Sequence, residues 1–418
     1  MTTLQSNFDA RTGTVLDELT RKGEYKHLQM IEGPMGPTVM LRQDDGSSKE
    51  ALCFCSNNYL GLANDPRVVE AGIEGLKKYG AGTASVRFIC GTFDCHETIE
   101  RTIAEYMGTE ASYTFVSCWT ANEAIYPTFA EPGDLIISDA LNHACIIDGI
   151  RLAATMKKGV KKGVFPHADY GVLREKLIDA AKDPEVTGQI WVVTDGVFSM
   201  EGDIADLPTI RGLCDEFGAM LIVDDSHGHG VMGRTGRGTH EHYGMVGAGP
   251  SGTGQHGNDL GEVDFFTGTL GKGLGGGAGG FVAGSRRGIE LLVQRGRPTL
   301  FSNALPATIA CSANKAIEII MDEPQHVERL KTNVDTARSK ITGAGFDVLE
   351  SPTAILPIII GETAEAIRMS QRLLEMGVFV IGFGYPVVPE GEARLRIQMS
   401  AAHTDEHIDA LVDALKKL

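Results

Sequence analysis

Lys272 stands between an apolar run and a tract of glycines in the stretch VDFFTGTLGKGLGGGAGGFVA, residues 263–283. DFFTGTL and GGFVA predict two buried strands, and a lysine at a tight turn between them lies at the rim of a cleft. A partly desolvated amine there gives up its proton more readily and can form a Schiff base with a carbonyl compound. A solvated turn lysine beside a flexible loop is the plain alternative, and other stretches decide between the two. Three more strand-like runs end near polar groups. LIISD (135–139) is followed by Asn142 and His143, WVVTD (191–195) by Gly196, Phe198 and Ser199, and LIVDD (221–225) by Ser226 and His227. Ligands of open α/β sheets bind beyond the carboxyl ends of the strands, so these groups and Lys272 are expected to converge on one cleft.

Such residue types suit pyridoxal 5'-phosphate (PLP), a carbonyl cofactor whose ring takes up electrons while its nitrogen stays protonated. A buried carboxylate beside that nitrogen favours the protonated ring, and Asp224 or Asp225 can supply it. His143 is placed to stack on the ring, and His227 to hydrogen-bond its phenolic oxygen. A phosphate needs backbone N–H groups at a helix start, which Ser117, Cys118 and Trp119 can offer after the strand at 113–117. Thr269, three residues before Lys272, is a second phosphate candidate. Taken singly, the aspartate pair reads as a helix cap and His143 as a structural histidine. An aspartate after one strand and a lysine after the next, at the same sheet edge, favour a site.

Alternation of short apolar runs with helical patterns must position these groups. Strands are predicted at 113–117, 135–139, 189–195 and 220–225, and helices near 121–130, from Ala144, at 171–182 and at 207–218. The pattern indicates an α/β fold, a mostly parallel sheet covered by helices on both faces. Residues 1–56 read as an N-terminal helix near 7–23 and an arm, and 57–298 as a large ligand-binding domain. Asn64-Asp65-Pro66 starts a helix that ends at Gly80, and another runs from His96 to Met107. The Gly/Ser-rich residues 247–262 read as a surface loop. Helices at 305–321, 325–343, 364–376 and 404–417, with strands ILPIII, VFVIG and ARLRIQMS, make 299–418 a smaller α+β domain.

Composition narrows the function. Of 418 residues, 42% are apolar and 22% charged, as in an ordinary globular chain, and the net charge of -17 disfavours nucleic acid as a partner. Eight cysteines without a CxxC pair indicate neither a metal site nor a disulfide frame, and reduced thiols fit a cytoplasmic protein. No run approaches the ~18 apolar residues of a membrane span. GKGLGGGAGG opens a strand rather than a helix, against dinucleotide binding, and GxxxxGK[ST] is absent.

The stretches FCSNNYLGLAN, SVRFICGT, ISDALNHACIIDGIRL, TDGVFSMEGDIADL, VDDSHGHGVMGRTGRG, TGTLGKGLGG, RPTLFSNALP and YPVVPEGEARLRIQMSAAHT span most of the chain. In them the sequence resembles the α-oxoamine synthase family of fold-type I PLP enzymes, and most of all its members that join glycine to acetyl-CoA. The resemblance implies that Lys272 binds PLP covalently and later moves the substrate α-proton. It also implies that Asp224 binds the ring nitrogen, His227 lies near the phenolic oxygen, His143 stacks on the ring and Ser199 lies beside it. Cys118, Trp119 and Thr269 would hold the phosphate with Ser302 of the partner subunit in a homodimer. Asn57 and Arg396 would bind the amino-acid carboxylate, although Arg394 lies on the same strand face. The implied partners are an amino acid and an acyl-CoA. Serine or another amino acid, a longer acyl chain and loss of the carboxylate form the alternative. GHG replaces the family's AVG after VDDSH, introducing His229, and Gly384 replaces an aromatic residue, which either widens the substrate pocket or alters a loop.

Overall fold

The computed structural model describes residues 3–25, 27–247, 249, 262–385 and 387–418. The 247–262 stretch read as a surface loop therefore lies almost wholly outside the described residues. Helix α1 (Thr3–Arg21) leads into a hairpin of β1 (Thr38–Arg42) and β2 (Ser48–Cys53), which are antiparallel. In α2 (Pro66–Tyr79), Pro66 takes the first turn, where its missing N–H costs nothing, and the Asp65 carboxylate accepts the N–H of Arg67. Helix α3 (Asp94–Met107) follows, ended by Gly108 at φ 72, a left-handed conformation that suits glycine.

Strands and helices then alternate as their pattern requires. They run β3 (Ala111–Phe115), α4 (Cys118–Phe129), β4 (Leu135–Asp139), α5 (Ala144–Met156), β5 (Lys161–Phe165) and α6 (Tyr170–Lys182). Next come β6 (Ile190–Asp195), α7 (Leu207–Phe217), β7 (Met220–Asp224), β8 (Phe265–Thr269) and β9 (Gly280–Gly284). The seven strands form one sheet in the order β3-β9-β8-β7-β6-β4-β5. Strands β8, β7, β6, β4 and β5 are mutually parallel, and β9 runs antiparallel to both β3 and β8. Every residue of β6 is buried, as expected of a central strand covered on both faces. The fold class read from the sequence is the one found.

A smaller C-terminal sheet joins β10 (Ile355–Gly361), β12 (Ile381–Phe383) and β13 (Ala393–Gln398) in the antiparallel order β10-β13-β12. The single strand expected at VFVIG is in fact two. Buried Val380 marks a crossover between β11 (Val378–Phe379), which pairs in parallel with β2, and β12. Strand β5 and the helix Arg286–Arg295 are present where no element was expected. The turn between β8 and β9 is also not tight. Residues 270–279 form a folded connection anchored by buried Leu270 and Leu274, with Lys272 between them. Among the described residues, no helix is long and apolar enough to cross a membrane.

Candidate active site

Strand β7 delivers Asp224 to the carboxyl edge of the large sheet, where four donors surround its side chain. The Ser226 N–H donates to Oδ1 at 3.0 Å, while Thr267 Oγ1 and Asn122 Nδ2 donate to Oδ2 at 2.7 Å each. The Cys118 thiol lies 3.3 Å from the same oxygen. Burial alone would raise the pKa of Asp224, but the bonds from Ser226, Thr267 and Asn122 and the nearness of His143 outweigh it and hold the carboxyl below its usual range. Asp225 is turned the other way. It accepts from the Thr239 N–H at 2.5 Å and the Thr239 hydroxyl at 2.8 Å, and burial pushes its pKa up to about 7. The structure thus separates two aspartates that the strand end left equivalent: of the two, only Asp224 is held ionised near Lys272.

Lys272 is half-buried, and among the described residues its amine makes no hydrogen bond. Burial lowers its pKa, opposed chiefly by the charge of Asp224 and assisted by Arg396. His143 caps α5, its Nδ1 accepting the Cys145 N–H at 3.2 Å, and its backbone N–H donates to buried Asp195 at 3.0 Å. The imidazole lies open to the cleft, edge-on to the Trp119 ring at 6.2 Å. Partial desolvation lowers the pKa of His143, so the ring is a neutral plane at neutral pH.

Arg396 begins a chain of bonds that fixes the tautomer of His227. A guanidinium can only donate, so its Nη2 contact at 3.2 Å orients Gln398 with Oε1 toward the arginine. Gln398 Nε2 then donates to Asn57 Oδ1 at 2.6 Å and to the Tyr59 hydroxyl at 2.9 Å. The Tyr59 hydrogen is left for His227 Nδ1 at 2.8 Å, which places the ring proton of His227 on Nε2. Burial, with Lys272 and Arg396 nearby, holds His227 neutral.

Arg396 and Arg394, two residues apart on β13, have different surroundings. Arg394 is spent on Glu201, Glu392 and the carbonyl of Met200. Arg396 donates to the Ser199 carbonyl at 2.9 Å and lies 4.7 Å above the Phe383 ring, and its buried Nε has no partner among the described residues. Gly384, next to that ring, would place a Cβ 2.3 Å from Thr363 Cγ2, so the space beside it is taken by the start of the preceding helix Thr363–Glu375.

The N-terminus of α4 lies beside this cluster. The Ser117 hydroxyl takes the Thr120 N–H, which leaves the first-turn N–H groups of Cys118 and Trp119 to other partners. Strand β9 approaches so closely that a Cβ on Gly280 would come 2.3 Å from Cys118 N. Thr269 pairs in register with Gly280, and its hydroxyl accepts the Gly271 N–H at 3.1 Å. Ser302 ends the helix Arg297–Phe301 and lines a small pocket with Arg87, Tyr113 and Thr120 of the first turn of α4.

Residues 49–415 match the family model described as aminotransferase class I and II, most of the chain. The chain belongs to that family. This family member is 42% identical over 403 residues to an 8-amino-7-oxononanoate synthase of Alkaliphilus metalliredigens, covering 96% of this chain and 95% of the relative. It is 40% identical over 399 residues to the human mitochondrial 2-amino-3-ketobutyrate coenzyme A ligase, covering 96% and 89%. Among solved structures, a serine palmitoyltransferase from S. paucimobilis with a bound PLP–myriocin adduct superposes with a TM-score of 0.86 at 29% identity, covering 100% of this chain and 98% of the other. Within the family, the chain groups with the α-oxoamine synthases, PLP-dependent acyltransferases.

This aminotransferase-family chain fits PLP on its own geometry. Lys272 offers an uncommitted amine, Asp224 an ionised carboxylate held by four donors, and α4 a helix start with free N–H groups. Asn122, Tyr59, Gln398 and Asp195 were not read from the sequence, because each acts by holding another group. Their signals are faint: Asn122 sits one helical turn after Cys118, and Gln398 continues the Arg394, Arg396 alternation on β13.

His229 lies behind the cluster, 1% exposed, with both ring nitrogens lacking a partner among the described residues. The Phe281 and Tyr106 rings flank it at 5.4 and 6.2 Å, and burial depresses its pKa to about 3. A neutral polar ring without partners destabilises the core, so His229→Val is expected to raise stability by about 1–2 kcal/mol. Chemical denaturation checks this, with the variant's midpoint moving upward.

Proposed function

We propose that this chain condenses glycine with acetyl-CoA, with PLP as cofactor, releasing CoA and an α-amino-β-keto acid. The observation that carries the reading is the buried, unpartnered Nε of Arg396, in one linked cluster with Lys272 and Asp224. A carboxylate is the group to which such a guanidinium edge donates, and the cluster then serves an amino acid. PLP, when bound, supplies an aldehyde for covalent attachment of amines and a cationic ring that takes up the electron pair left at the amino-acid Cα. Asp224 would keep the ring nitrogen protonated, His143 would stack on the ring, and Nε2–H of His227 would donate to the phenolic oxygen. The N–H groups of Cys118 and Trp119 would hold the phosphate with Thr269 and Ser302 of the partner subunit, and Ser199 would lie beside the ring. Asn57 and Arg396 orient the amino-acid carboxylate. Lys272 would anchor the cofactor, and its Nζ would take the substrate Cα proton; burial keeps more of that amine unprotonated than a surface lysine would be.

Completion of the phosphate site by Ser302 makes the functional unit a homodimer. Eight free cysteines agree with a cytoplasmic setting. A second reading, with serine or another amino acid and a longer acyl donor, is favoured by the 42% identity to the 8-amino-7-oxononanoate synthase. Free CoA is measured with pairs drawn from several amino acids and acyl-CoAs of increasing length. Release with glycine and acetyl-CoA is the expected result. Turnover of another pair alone would move the assignment to the second reading, and no release with any pair would remove both.

A further inference from the structure

His167 lies outside the cluster, on the connection between β5 and α6, with an aspartate on each side. Its Nδ1 is 3.2 Å from Asp139 and its Nε2 2.8 Å from Asp203, and the Phe198 ring packs edge-on at 4.3 Å. Ionised carboxylates only accept, so both ring nitrogens must donate and His167 is an imidazolium. Burial disfavours that charge, but the bonds to Asp139 and Asp203 outweigh it and push its pKa up to about 10.

The two aspartates belong to different parts of the active-site wall. Asp139 also accepts the N–H groups of Leu141 and Ala168, and so fixes the turn that ends at His143. Asp203 closes the loop 198–203, whose Phe198 N–H donates to the Asp203 carbonyl at 3.0 Å. That loop is what the C-terminal sheet grips. Arg396 holds the Ser199 carbonyl, Arg394 the Met200 carbonyl and the Glu201 carboxylate, and the Thr353 hydroxyl the Gly202 carbonyl at 2.7 Å. The direction of the Arg396 guanidinium therefore depends on where Ser199 stands, and Ser199 stands where the His167 bridge sets its loop.

We propose that His167 is a positioning residue for the amino-acid substrate, pinning the 198–203 loop to Asp139 so that Arg396 meets the substrate carboxylate in a fixed direction. This rests on the proposed role of Arg396. Misplacing a binding group through a remote contact costs roughly 10- to 100-fold in substrate use.

The test compares His167→Gln, Asp203→Ala and Asp203→Asn as PLP-loaded full-length proteins. Glutamine carries both of its donors on one nitrogen and does not reproduce a bridge made from two ring nitrogens, and Asp203→Ala breaks the bridge at its more exposed end, whereas Asp203→Asn keeps an acceptor. In His167→Gln and Asp203→Ala, KM for the amino acid and the glycine concentration that half-changes the absorbance of bound PLP are expected to rise by about 10-fold or more. The KM for acyl-CoA should not move, and Asp203→Asn should stay close to wild type. Unaltered glycine affinity in both disrupting variants, or equal losses toward both substrates, would overturn the proposal. Wild-type protein that responds to neither glycine nor serine would instead overturn the functional reading on which it rests.

Discussion

Replacing Lys272 by alanine is expected to reduce turnover by at least about 10³-fold, because the variant loses both the covalent anchor and the base that takes the Cα proton. The rest of the site should persist. Asp224 keeps its donors from Ser226, Thr267 and Asn122, and the helix start at α4 does not involve the lysine, so PLP should still bind noncovalently. Stability argues the same way. The folded pKa of Lys272 is depressed, so the unfolded chain binds a proton more readily, and the charged amine disfavours folding at neutral pH. That penalty fades as pH rises through the depressed value toward the unfolded one, and alanine removes it throughout. Lys272→Ala should therefore unfold no earlier than wild type near pH 7 in the absence of cofactor, which separates lost chemistry from lost structure. Single-turnover assays, PLP absorbance after dialysis and denaturation together check this. Wild-type turnover in the variant would end the assignment of Lys272.

The parts of the fold that could be read in advance are those where burial leaves a mark on composition. Strands β4, β6 and β7 are apolar runs because both faces of the sheet are covered, and α2 announces itself through Asp65-Pro66 and Gly80. Strand β5 carries no such mark. It is the edge strand KKGVF, alternating between half-buried and exposed residues until Phe165, and it reads as polar loop. The division of VFVIG between two sheets has no signature, because Val380 is buried whichever sheet its neighbours join. In the site, reactive residue types at strand ends were legible and their supports were not. Nothing in NNYLG says that Tyr59 relays a hydrogen bond from Gln398 to His227 across more than 300 residues of chain. Likewise His167 is one histidine among twelve until Asp139 and Asp203 appear on either side of it.

Asp224 and Asp225 allow a contrast within a single dipeptide. Asp224→Ala is expected to lower turnover by roughly 10²- to 10⁴-fold, the scale of a lost proton-holding group. Without the carboxylate, the donors from Ser226, Thr267 and Asn122 lose their acceptor, and nothing keeps the ring nitrogen of PLP protonated. PLP should be released faster on dialysis as well, since one of its charged contacts is gone. Asp225→Asn should behave differently. With its pKa raised to about 7 by burial, Asp225 is already protonated in much of the population at neutral pH, and an amide keeps an oxygen for the N–H of Thr239. Its expected cost is a modest loss of stability, about 1 kcal/mol, with turnover close to wild type. Rates and cofactor retention of the two variants decide the matter together. Equal losses in both would mean that the strand end acts only as scaffold, whereas a loss confined to Asp224 ties the chemistry to the one carboxylate that the fold keeps charged and turns toward Lys272.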